Sequence, residues 1–310
     1  MDPAWLQTFQ LFVTSTSNVA LAAIAGSFSA LAILRGCESA WARSRAESIE
    51  RVLRVSTAIS LSAAVLGLWI LASLITELSL LESLGSIGKI LLETHAGRAW
   101  AAGMAALVVL LLSRLRRERS RNGTALFLGA ACAVLFAGTR SWASHAGATG
   151  ELLPFAVDWV HLVSVSIWAG LVGVSAGVVL AGPLPQYFRE KGECGDFVQA
   201  LSDTATGSLV VLALTGVFSS WRSLGGSTMQ FVSSSYGVIM LVKLALVAVA
   251  VGLGAHNRFA AMPDLLASLR ARKSTFSVPY RRFALILTKE SAVLLAILVA
   301  ASMLSLSSPP

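Results

Sequence analysis

Charge is scarce in this sequence. Only 13% of its 310 residues are Asp, Glu, Lys or Arg, against 55% apolar residues and a mean hydropathy of +0.74. That is too little polar surface to wrap a water-soluble globule of this size. Cysteine is nearly absent: Cys37, Cys132 and Cys194 stand alone with no Cys-x-x-Cys, so a disulfide framework is not expected. There is no Walker sequence and no Asp-Lys-Thr-Gly-Thr, which argues against a nucleotide-driven pump. An enzyme is not expected. Methionines form no Met-x-x-Met cluster; Met104, Met229, Met240 and Met303 are scattered as packing residues would be. No linker or low-complexity tract marks off a soluble domain, so residues 1–310 read as one integral membrane domain.

Long apolar runs are what the chain does have. A span needs roughly 20 mainly apolar residues, and eight such runs lie near 9–34, 52–75, 96–113, 124–142, 155–181, 206–224, 236–257 and 283–305. The expected fold is all-α, a polytopic bundle of about eight transmembrane helices rich in small residues that suit close packing in lipid. Met1-Asp2-Pro3-Ala4-Trp5 has no basic n-region and no small-residue cleavage site, so the first helix is expected to be retained. Basic residues alternate by loop. Eighteen fall on one side, including Arg35, Arg43, Arg45, Arg51 and Arg54 after the first run and Arg114, Arg116, Arg117, Arg119 and Arg121 after the third. Only Lys89, Arg98, Arg140 and Arg222 fall on the other. The positive-inside rule then puts both termini on the periplasmic side of a bacterial inner membrane. The net charge of +8 is a topology signal rather than a nucleic-acid surface. Leu78 to Leu92 is too charged for a span and is expected at the outer interface, and Pro263 is expected to start a short amphipathic helix on the basic side.

Four histidines occur in the chain. His161 sits about two turns inside the fifth run, where an ionisable, metal-competent group is costly and so marks a functional site. His95 and His145 lie at the outer ends of runs three and four, so three imidazoles approach one outer side and suit a transition metal. Asp158 precedes His161 by three residues on the same helical face, and Ser164 and Trp168 continue it inward. Lys243 lies at similar depth in the seventh run, as a partner for Asp158, a gate or a snorkelling cation. At the inner side, His256 is expected near Glu290 in the last run, forming a station for a cation or proton or simply capping its helix end. Cys132 is a soft donor at mid-span or a small packing residue.

Ser144-His145-Ala146, Asp158-Trp159-Val160-His161, Trp168-Ala169-Gly170, Tyr236-Gly237 through Lys243 to Asn257-Arg258, and Glu290 together resemble the CopD family of copper-resistance inner-membrane proteins, most strongly over residues 140–305. The family's usual Trp-x-Gly-Gly reads Trp168-Ala169-Gly170-Leu171 here. The resemblance implies copper ion as the cargo, metal roles for His145, His161 and His256, and a separate periplasmic copper-binding chaperone of the CopC type as partner. The expected function is therefore copper transport, with an outer site on His161, His145 and His95 passing the ion toward His256 and Glu290. Asp158, Lys243, Glu290 and Trp168 are the expected gating or supporting groups. The alternatives are a membrane electron-transfer protein holding haem b between two histidines, or a copper-binding docking or sensing protein that does not transport.

Overall fold

The computed structural model describes residues 3–115, 123–144, 151–224, 234–271 and 276–307. Among them the secondary structure is helical, with no strand. The helices are α1 Pro3–Ile33, α2 Ala40–Thr76, α3 Leu80–Ser83, α4 Ile87–Glu93, α5 His95–Leu115 and α6 Gly123–Trp142. They continue with α7 Leu152–Val174, α8 Phe188–Leu224, α9 Ser235–His256, α10 Met262–Arg270 and α11 Ser277–Ser305. Among the described residues, eight helical stretches are long and apolar enough to cross a membrane, one for each expected run. The chain is a multi-pass membrane protein.

Several helices run past the apolar windows. α2 begins at Ala40 and α8 at Phe188, well before their apolar stretches, because polar residues close their first turns. The Ser39 hydroxyl accepts from the Ala42 amide at 3.1 Å. The Glu190 carboxylate accepts from the amides of Gln186, Tyr187 and Trp41 at 2.8, 3.2 and 3.3 Å. Orphan donors at two helix starts are thereby satisfied.

Two stretches widen into π-helix, Ser175–Val179 after α7 and Asn257–Ala261 between α9 and α10. The second has a local cause. Pro263 has no N–H for the carbonyl one turn back and its ring crowds that turn, so the helix widens ahead of it and continues as α10. Leu265 and Leu269 of α10 are buried while Asp264 and Arg270 are exposed, the amphipathic pattern expected. Leu78 to Leu92 forms α3, a 3₁₀ turn and α4 rather than a span; a capping box links Ser79 and Glu82.

The chain forms two compact units. The first comprises Met1–Leu21, Arg54–Val163 and Leu212–Gly225. Its core includes Val13, Ala63 and Ile70, and a second cluster where Ile90 of α4 packs on Leu68 and Ala72. The second comprises Ala22–Leu53, Ser164–Val211 and Gly226–Pro310. Here α1 and α7 cross backbone to backbone: a Cβ on Gly170 would lie 1.7 Å from the Ala22 carbonyl oxygen, and one on Gly26 2.0 Å from the Gly170 carbonyl carbon. Only glycine fits at either position.

Candidate functional site

In the first unit the polar groups gather around the first half of α7. The Asp158 carboxylate accepts from the hydroxyls of Ser141, in a short bond, and Ser144, at 3.3 Å. The stretch leading into His145 and the stretch holding His161 therefore meet. His145 itself lies outside the described residues. Arg140, one residue before Ser141, donates from Nη2 to the Asn18 side chain at 2.6 Å, while its buried Nη1 has no hydrogen-bond partner among the described residues.

His161 is half-buried on α7, and its Nδ1 lies 2.9 Å from the Thr215 hydroxyl of α8. That hydroxyl is also within donating distance of the Leu212 carbonyl, at 3.2 Å. With the Thr215 proton directed at the Leu212 carbonyl, the hydroxyl accepts from Nδ1–H and the ring lone pair falls on Nε2; with that proton directed at Nδ1, the tautomer reverses. Gly216 adds no bulk: even a Cβ there would stay 3.8 Å from Cε1 of His161.

His95 opens α5 beside a different feature. Its ring lies 5.1 Å from that of Trp142, Trp142 meets Phe155 edge-on at 5.0 Å, and Phe155 stacks with Trp159 at 5.8 Å. These aromatics, with Arg98 and Leu135, line a cavity of about 430 Å³. Trp159 is fixed by donation from its indole nitrogen to the Val134 carbonyl at 2.9 Å, and Gly138 lets it lie close on α6.

The second unit holds the other expected residues. Glu290 of α11 is 3% exposed, and the indole nitrogen of buried Trp168 donates to its Oε1 at 3.3 Å. The α9 residue beside it is Gly254, where a Cβ would sit 3.2 Å from Oε1. His256 follows by two residues, about 200° further round the helix, and is exposed. Sequence depth matched His256 with Glu290, but helical phase brings Gly254 there. Lys243 is half-buried on α9.

Among the described residues no three His, Cys, Asp or Glu side chains gather as a metal-holding group. Cys132 is half-buried on α6. Sequence reasoning missed Thr215, Asn18 and the role of Arg140, which it counted as a loop charge.

An all-α membrane protein with polar groups set inside its apolar helices is the class this architecture defines. The model described as "Copper resistance protein D" matches residues 195–304, and that described as "Copper resistance protein D-like, N-terminal domain" matches residues 6–154. Copper resistance protein D of Pseudomonas syringae pv. tomato is 30% identical over 231 residues, 71% of either chain. The copper transport protein CutJ of Bacillus subtilis is 27% identical over 233 residues, 73% of this chain and 39% of that protein. No solved structure matches. The chain belongs to the CopD family of copper resistance proteins.

Proposed function

We propose that this protein carries copper across a bacterial inner membrane, with both termini on the periplasmic side, and that His161 is the residue that receives the ion. One observation carries the assignment of His161. Its Nδ1 lies 2.9 Å from the Thr215 hydroxyl, which fixes the orientation of the ring, and in the tautomer protonated at Nδ1 it turns a lone pair on Nε2 toward an ion. A metal-ligating histidine is commonly held this way through its other nitrogen. Membership of the CopD family supports copper as the cargo, as does the naming of one relative for copper resistance and another for copper transport. His145 and His95 are proposed as further outer ligands. Asp158, held by Ser141 and Ser144, places negative charge one turn from His161. Lys243 serves as a gating charge. A separate periplasmic chaperone of the CopC type would deliver the ion to the outer histidines.

Copper binding to the purified protein in nanodiscs, with an absorbance spectrum of the same sample, tests this reading. Stoichiometric copper without a Soret band is expected. His161→Ala should abolish binding at this site, and Thr215→Val should weaken it by about 10–100-fold, the usual cost of removing a group that orients a metal ligand. A Soret band, or full copper affinity in His161→Ala, would overturn it.

A further inference from the structure

We propose that Glu290 and the side-chain amide oxygen of Asn257 form a binding site for a small hard cation, either a proton or Na⁺. Buried carboxylates are costly unless neutralised or fully hydrogen-bonded. Glu290 is buried, yet among the described residues only one hydrogen bond reaches its carboxylate, the 3.3 Å donation from Trp168. The described residues place no basic side chain within salt-bridge distance of it. An ionised carboxylate offers about four acceptor positions, so one indole leaves it far from satisfied.

The second oxygen comes from the neighbouring helix. Gly254 presents bare backbone to Glu290. Asn257 follows Gly254 by three residues and therefore lies on the same face, one turn along. It is 4% exposed, and its buried Oδ1 has no hydrogen-bond partner among the described residues. It also opens the π-helical stretch Asn257–Ala261, which packs on α11, and such widened turns are frequent at functional sites. Two buried oxygen acceptors on packed helices thus have no positive partner among the described residues. A proton on Glu290 would turn the carboxyl into a donor toward Asn257, and Na⁺ would be held by the same oxygens. Copper(I) would find no soft donor here.

The charged groups flanking Asn257 and Glu290 along the chain are committed or turned away, and Lys243 of α9 lies eleven residues before Gly254, about 16 Å by helix rise. Arg258 pairs with Asp203 at 2.9 Å and Asp264 of α10 with Arg282 at 3.4 Å; His256 and Lys289 are exposed. The α7 segment from Ser164 through the π turn to Val179 carries no titratable side chain. The site stands without the copper reading, although it would provide the coupling ion that a gradient-driven transporter needs.

The test is infrared difference spectroscopy of the full chain in nanodiscs, without copper, following the protonated-carboxyl stretch against pH in K⁺ and in Na⁺. For a proton site, a band absent from Glu290→Gln disappears as pH rises, equally in both salts. For a Na⁺ site, the same band is lost at constant pH when Na⁺ replaces K⁺. Asn257→Ala should lower the midpoint of the pH titration by about one unit, the size of one lost hydrogen bond to the protonated form, or weaken the Na⁺ effect. Glu290→Gln keeps the size and neutrality of the protonated side chain, so it should elute as wild type. No band assignable to Glu290 at any pH together with no Na⁺ effect, or an unchanged response in Asn257→Ala, would overturn the proposal.

Discussion

Replacing Gly170 by alanine adds one methyl group where α1 and α7 touch. That carbon would sit 1.7 Å from the Ala22 carbonyl oxygen, 2.5 Å from its carbon and 2.8 Å from the Gly26 amide nitrogen. A carbon and a carbonyl oxygen normally stay about 3.3 Å apart, so the helices would have to separate by roughly 1.5 Å. The three nearest obstructing atoms are all main chain, which cannot swing aside as a side chain could. Overpacking costs typically 1–3 kcal/mol; with backbone on both sides the expected loss is near 3 kcal/mol, about a hundredfold in the folded-to-unfolded ratio. Reversible unfolding of the purified protein in mixed micelles would measure it. Gly252→Ala is the control, because a Cβ there meets nothing within 4 Å; alanine's helix propensity should leave that variant unchanged or up to about 1 kcal/mol more stable. A Gly170→Ala protein as stable as wild type would refute the close crossing.

Asn18→Leu strips Arg140 of the 2.6 Å acceptor on Nη2 and should cost about 1.5–3 kcal/mol in the same assay, as for a lost hydrogen bond to a charged group. Glu82 accepts from the Ser79 hydroxyl and amide, which hold its carboxyl below the ordinary 4.5. A depressed acid stabilises above its unfolded value and loses the effect as pH falls through the folded one. Amide exchange at Leu80–Ser83 should therefore speed up selectively on acidification below about pH 4.5, and Glu82→Ala should remove that dependence. Partial burial, followed by the negative charges of Glu193 and Asp196, raises the Cys37 thiol above 9.0. Maleimide labelling of Cys37 should accordingly be slow at neutral pH and rise with alkalinity. An impermeant reagent should reach it in inverted vesicles and not from the periplasmic side of intact spheroplasts.

Hydropathy made the eight spans legible, because lipid demands a long apolar helix wherever the chain crosses. It could not show where the helices end. The polar first turns of α2 and α8 are helical because Glu190 and Ser39 close them, and those contacts join distant parts of the chain. Charge counting had a similar blind spot. Arg45 and Arg114 read as inner-loop charges, yet both are buried, bonding the carbonyls of Pro183 and Ala125 at 2.8 and 2.6 Å. Intramembrane cost pointed to His161 and Glu290, but not to their partners. Thr215 is one hydroxyl among many in apolar helices, and nothing local marks it. Asn257 was more accessible. At 100° per residue it shares a face with Gly254, whereas His256 does not, so once Gly254 is seen against Glu290, helical phase favours the asparagine over the histidine as its proposed companion.

Copper uptake into proteoliposomes tests the central claim most directly. Wild-type protein and His161→Ala would be reconstituted at equal density and lumenal copper measured over time. Accumulation by wild type, reduced about tenfold or more in His161→Ala, is the predicted result. Equal uptake by the two would remove His161 from the mechanism, and uptake by neither would contradict transport itself and favour a docking or sensing role.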